Sequence, residues 1–100
     1  MSLQVIFKPG ARQEFDEAVI WYEAQRPGLG EEFKREVKAA LHRAQTNPAL
    51  FQKVRGRPPK IRLRHFKKYA IYFAIKDETL AVLAVFHGSR NPTTLQHRLS

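Results

Sequence analysis

The apolar residues of this chain change their period partway along it, and that change restricts the fold more than any other feature. Ala11, Phe15, Ala18 and Tyr22 recur at intervals of three and four, as do Phe33, Val37, Leu41 and Ala44. That spacing places side chains on one stripe of an α-helix. After Gly56-Arg57-Pro58-Pro59 the interval becomes two: in Lys60-Ile61-Arg62-Leu63-Arg64 the two aliphatics fall on one face and the three cations on the other, as in a half-buried strand. Each kind of element must bury its apolar face against another element. Helices grouped in the first half and strands in the second therefore point to an α+β fold.

Local signals set the boundaries. Leu3, Val5 and Phe7 alternate with polar neighbours and predict a short first strand. Pro9 suits the first turn of a helix, where its missing N–H is not needed, and that helix should run to about Gln25. Arg26-Pro27-Gly28-Leu29-Gly30 is a turn of helix breakers. A second helix should stop near Asn47, before Pro48; two helices so joined pack as an antiparallel hairpin. Tyr69 to Ile75 is apolar on both faces, as a central strand covered on each side would be. Lys76-Asp77-Glu78-Thr79 predicts a hairpin turn, Leu80 to Phe86 a further strand, and Thr93 to Leu99 a short terminal helix. The expected order is β-α-α-β-β-β(-α), with the helical hairpin on one face of a small, mainly antiparallel sheet that reads as a meander.

At 100 residues the chain has room for one core, so residues 1–100 are expected to form a single domain. There is no cysteine, which removes disulfides and thiolate metal sites. The four histidines lack metal-ligand spacing, and no glycine-rich phosphate loop is present. No cofactor and no metal are expected. No apolar run approaches the ~20 residues that span a bilayer, and no secretory pattern opens the chain. A soluble cytoplasmic protein without a membrane partner is the expectation.

Charge is the informative part of the composition. The formal net charge is +9. Residues 1–50 are balanced, seven basic against seven acidic, whereas residues 51–100 hold eleven basic and two acidic. Lys53 to Lys68 contains eight cations and no carboxylate, a field that attracts phosphate backbones, other polyanions or an acidic protein; its bland alternative is a solvated surface. On a strand Lys60, Arg62 and Arg64 would stand about 6.6 Å apart, twice the rise per residue, close to the phosphate spacing of one nucleic-acid strand. Phe66, Tyr69 and Tyr72 are either stacking platforms or core. The helical carboxylates from Glu14 to Glu36 read mostly as solvated faces, and His42 as a surface residue. Metal-free RNA cleavage would need a base, an acid and phosphate-holding cations. His87 could serve as acid or base, and Arg62, Arg64, Arg90 or Arg98 could hold a phosphate.

Several stretches together resemble the RelE/ParE toxin superfamily. Ala11-Arg12-Gln13-Glu14-Phe15-Asp16-Glu17-Ala18 with Trp21-Tyr22-Glu23 is similar to its first helix, and Pro27-Gly28-Leu29-Gly30-Glu31-Glu32-Phe33 to the opening of its second. Asn47-Pro48, Phe51, Ile61-Arg62-Leu63, Phe66 and Tyr69-Ala70-Ile71-Tyr72 continue the likeness. It closes on Val82-Leu83-Ala84-Val85-Phe86-His87, Arg90-Asn91-Pro92 and Arg98. His-x-x-Arg-x-Pro is the ending of the ParE-like members often called plasmid stabilisation proteins; Leu95 stands where such members often carry Trp. The resemblance implies a RelE/ParE-like fold and a toxin of a type II toxin–antitoxin system. Such a toxin is neutralised in a hetero-oligomer by a cognate antitoxin with a partly disordered segment.

The resemblance leaves the target open. ParE-like members are associated with DNA gyrase, an inhibition by binding that needs no catalytic group. RelE-like members cut mRNA in the ribosome and commonly use a Tyr near the C-terminus; here the last Tyr is Tyr72. Gyrase inhibition is therefore the leading expectation. A metal-independent endoribonuclease using Lys60, Arg62, Arg64, His87 and Arg90 is the first alternative, and a partner-binding member without toxicity the second. Arg55, Arg57, Lys60, Arg62, Arg64, Arg90 and Arg98 are the candidate target- or anion-binding residues. Ile20 and Trp21, off the buried stripe of the first helix, are the candidate antitoxin contacts, and an acidic disordered segment could neutralise the basic field.

Overall fold

The computed structural model describes residues 3–47 and 59–88. In chain order these form β1 (Gln4–Phe7), α1 (Pro9–Gln25), α2 (Leu29–Thr46), β2 (Lys60–Arg62), β3 (Tyr69–Lys76) and β4 (Thr79–His87). Pro9 opens α1, and α2 closes with Asn47 as its C-cap. The expected order β-α-α-β-β-β is the observed one. The segments around Pro48–Pro58 and Ser89–Ser100, which hold Arg55, Arg57, Arg90, Arg98 and the expected terminal helix, lie outside the described residues.

The strand order is β1-β4-β3-β2. β2, β3 and β4 form the expected antiparallel meander, but β1 pairs parallel to β4, from Gln4 opposite Thr79 to Phe7 opposite Val82. The sheet is mixed rather than a pure meander. β4 is buried along most of its length, so its backbone N–H and C=O groups need a pairing strand on each edge. The helical hairpin brings the chain back so that β1 fills the vacant side of β4. Gln45 near the end of α2 donates its side-chain amide to the Leu3 carbonyl and ties the hairpin to that edge.

Both helices cover one face of the sheet. Ala11, Phe15, Ala18, Phe33, Val37, Leu41 and Ala44 meet Ile61, Leu63, Ile71, Phe73, Leu80, Val82 and Val85 in one buried cluster. The two helices approach closely at Gly30, where an added Cβ would lie 2.9 Å from the Val19 carbonyl oxygen. Glu23 of α1 accepts hydrogen bonds from the Gly28 and Gly30 N–H groups, both at 3.0 Å through one or other oxygen, and so caps α2. Gly28, at φ +89°, makes the turn that a side chain would strain. The Pro-Gly-Leu-Gly turn is thus also a contact between helices.

An irregularity in β4 decides what stands on which face. Tyr72 pairs with Ala84, yet Phe73 pairs with Val82, which leaves Leu83 as an extra residue, a β-bulge. Before it, Leu80 and Val82 face the helices; after it, Val85 does, while Ala84 and Phe86 turn to the far face and pack with Tyr72. His87, two residues beyond Val85, is therefore carried to the helix side opposite Tyr69. The far face is only half-covered along β3, at Ala70, Tyr72 and Ala74, less than the double cover its composition suggests.

Candidate functional site

Lys60 and Arg62 stand on the sheet face turned away from the helices, because Ile61 and Leu63 on the alternate positions are buried in the core. The Lys60 ammonium lies 5.8 Å from the centre of the Tyr72 ring, within reach of its π face. Strand pairing stops at Arg62, and a bend follows at Arg64 and His65. Arg64 consequently leaves the row and lines a cleft beside α2 instead. The expected stripe of three is two residues long on its strand.

The bend is held from the helix. Glu36, on α2, accepts the His65 backbone N–H at 2.8 Å and lies 3.1 Å from its ring Nδ1 through the same oxygen. Its other oxygen, Oε2, is buried without a hydrogen-bond partner among the described residues. Around this carboxylate the side chains of Arg26, Arg35, Arg43 and Arg64 line a cleft of about 670 Å³. Arg26 is engaged with Glu32 at 2.8 Å. Arg35, Arg43 and Arg64 make no ion pair among the described residues.

A second cleft, of about 740 Å³, adjoins the first across Arg64, His65 and Phe66. Its wall is apolar, with Trp21, Tyr22, Leu29, Phe66 and Tyr69, and its rim carries Lys67 and Lys68. Tyr22 meets the edge of Phe66 at 4.7 Å, and Tyr69 stands edge-on to His87 at 4.9 Å, so the rings brace one another. Burial first, and the facing Tyr69 second, push the Tyr22 hydroxyl above its ordinary value of 10.0. It stays protonated, a hydrogen-bond donor, at neutral pH. His87 is half-buried and reaches this cleft only because of the bulge at Leu83.

The predicted residues are thus divided. Arg64 and His87 share the cleft on the helix side, while Lys60 and Arg62 stand on the opposite sheet face; Arg55, Arg57, Arg90 and Arg98 lie outside the described residues. Ile20 and Trp21 are exposed at 69% and 55%, the two large apolar side chains exposed on the described helices, and Trp21 edges the cleft. Arg35 and Arg43 join the first cleft without having been singled out, and Lys67 and Lys68, marked only as part of the basic stretch, border the second, because residues on α2 and in the bend meet only through the tertiary fold.

Two carboxylates correct the reading of the helical acids as solvated. Glu14 is 6% exposed, and its Oε1 accepts the Val85 N–H at 3.0 Å, beyond the point where β1 has ended. It lies on the same stripe as Ala11 and Ala18, at helical spacing, which is a signal the sequence carried. Glu36 is 14% exposed, and nothing in the periodicity marks it.

Two helices laid on one face of a four-stranded mixed sheet define a small α+β class of protein. Residues 5–92 match the family described as ParE toxin of type II toxin-antitoxin system, parDE. The chain belongs to this ParE toxin family. Its fold is similar to a solved chain of the chromosomal ParDE TA system from P. aeruginosa. That likeness has a TM-score of 0.69 at 12% identity, over 86% of this chain and 96% of that one. No curated protein matches. Among the described residues no helix is long and apolar enough to cross a membrane.

Proposed function

We infer that this ParE-family chain arrests growth by binding DNA gyrase in the cytoplasm, without cutting a substrate, and that a cognate antitoxin neutralises it in a hetero-oligomeric complex. One observation supports binding over scission. The residues that the cleavage reading groups around one phosphate are divided by the sheet: Lys60 and Arg62 stand on the far face, Arg64 and His87 in the cleft. A scissile phosphate cannot be within hydrogen-bond reach of both sets. Binding asks only for a complementary surface, and the Lys60–Arg62 face with its aromatic Tyr72 offers cations to an anionic partner.

Purified protein separates the alternatives. Inhibition of gyrase supercoiling, with ribosome-bound mRNA left intact, is the expected result. Cleavage of that mRNA in the A site would replace this reading with the RelE-like one. Absence of growth arrest on induced expression would leave only a partner-binding role.

A further inference from the structure

The four-stranded sheet ends in two edge strands, β1 and β2, and the sequence treats them differently. On β2 the exposed Lys60 and Arg62 put cations on the strand, and charge of this kind keeps an edge from pairing with another chain. β1 has no such protection: Leu3-Gln4-Val5-Ile6-Phe7 holds no charge, no proline and no glycine. Ile6 is 40% exposed, and Gln4 on the same face is exposed as well. Backbone bonds to β4 alternate along β1. The Gln4 and Lys8 N–H groups bond the Glu78 and Val82 carbonyls, so the odd-numbered residues turn theirs to the outer edge. There the Leu3 carbonyl takes the Gln45 amide. The Val5 N–H and C=O and the Phe7 N–H meet no partner among the described residues.

We propose that β1 pairs with β1 of a second copy of this chain, antiparallel and centred on Val5, which joins two four-stranded sheets into one continuous sheet. The unpaired groups dictate this register. Val5 faces its counterpart and exchanges two N–H···O bonds with it, and each Phe7 N–H reaches the Leu3 carbonyl of the other copy, which has a second lone pair to give. The same strand supplies both sides, so the pair is closed and does not propagate.

Charge selects a second copy over other occupants. The chain carries +9, so two copies repel wherever their basic surfaces meet. In this register the two Lys8 side chains lie about 20 Å apart along the strands, beyond the ~8 Å screening length of physiological salt. The Lys60–Arg62 faces of the two copies are separated by seven strand spacings, about 34 Å, and the junction covers neither. An acidic segment, which those faces attract, finds no cation between Leu3 and Phe7. A junction of two such short strands is smaller than the roughly 1,200–2,000 Å² of stable interfaces, so the pair is reversible, with a Kd on the order of 100 µM.

Sedimentation velocity of the full chain alone, from about 10 µM to 1 mM, should show that monomer–dimer equilibrium. Ile6→Lys sets two added cations on diagonal positions of one face, roughly 7–8 Å apart, and should raise the Kd about tenfold or more, with part of the loss recovered in 1 M salt. Circular dichroism checks that this variant keeps the fold. The chain has no cysteine, so single-cysteine variants report the register. Val5→Cys places two thiols across a hydrogen-bonded pair with Cα atoms about 5.5 Å apart, within disulfide reach. Ile20→Cys stands on α1 at the most exposed large apolar side chain of the described residues. Under mild oxidation Val5→Cys should link into dimers much faster than Ile20→Cys. The proposal is overturned by a chain that stays monomeric at the highest concentration, by dimerisation that a folded Ile6→Lys leaves unchanged, or by linking at Ile20→Cys that matches or outpaces Val5→Cys. Where Ile6→Lys does not fold, the ratio of the two linking rates decides.

Discussion

Replacing Gly30 by Ala sets two physical effects of opposite sign against each other. Inside an exposed helix the change stabilises by about 0.8–1.0 kcal/mol through propensity. Here the new Cβ would lie 2.9 Å from the Val19 carbonyl oxygen, 2.9 Å from Glu23 Oε1 and 3.1 Å from Glu23 Cβ. The Glu23 side chain can swing away, but only by giving up the cap on the Gly28 and Gly30 N–H groups, worth roughly 0.5–2 kcal/mol. The Val19 carbonyl belongs to the backbone of α1 and moves only if the helices part, an overpacking effect of about 1–3 kcal/mol. The losses exceed the gain, and the net is a destabilisation of about 1–3 kcal/mol. With each kcal/mol shifting the midpoint of a domain this size by ~4–8 °C, Gly30→Ala should melt roughly 5–20 °C lower.

Urea unfolding followed by Trp21 emission and thermal melts by circular dichroism both measure this. A double-mutant cycle with Glu23→Ala isolates the part carried by the cap. Removal of the Glu23 side chain should recover part of the loss and leave the part due to Val19. If Gly30→Ala melts higher than the parent chain, propensity alone operates and the close approach of the helices is refuted.

Three further perturbations test other joints of the fold. Glu14→Leu leaves the buried Val85 N–H without its acceptor and should destabilise by about 1–3 kcal/mol in denaturant titration; unchanged stability would mean that this bond is dispensable. Asp77 and Glu78 sit at φ 50° and 63° in the two-residue turn between β3 and β4, so an Asn-Gly pair there should stabilise by about 1 kcal/mol, read as a higher urea midpoint. Tyr22 is an acid whose folded pKa is raised, so at alkaline pH the unfolded chain binds fewer protons and stability falls as pH rises through about 10. Tyr22→Phe should flatten that fall in urea titrations from pH 9 to 11, and an equally steep fall would assign the effect elsewhere.

Local periodicity accounts for most of the architecture. The three- and four-residue intervals of Ala11–Tyr22 and Phe33–Ala44 recur as the buried stripes of α1 and α2, because a helix rotates by a constant angle per residue whatever it packs against. Pro9, Gly28 and Asn47 mark their ends by the same local logic. The alternation Ile61/Leu63 against Lys60/Arg62 likewise survives in β2 and its exit. Even the family was legible, as an ordered series of short segments spanning most of the chain.

Sidedness at the far end of the sheet was settled only by tertiary structure. Simple alternation from Leu80 would put His87 on the face opposite the helices, beside Lys60 and Arg62. The extra residue Leu83 reverses that count and carries His87 to Tyr69 and the cleft. No residue type announces the bulge; it arises because Leu80, Val82 and Val85 all find places under the helices, while Ala84 and Phe86 find theirs with Tyr72. Arg64 is likewise taken out of its row by a bend that Glu36 holds from 29 residues away. Intervals between neighbours in the chain determine helices, strands and their buried faces; which charges finally share a surface depends on long-range pairing, and here that pairing divides one basic stretch between two sides of the sheet.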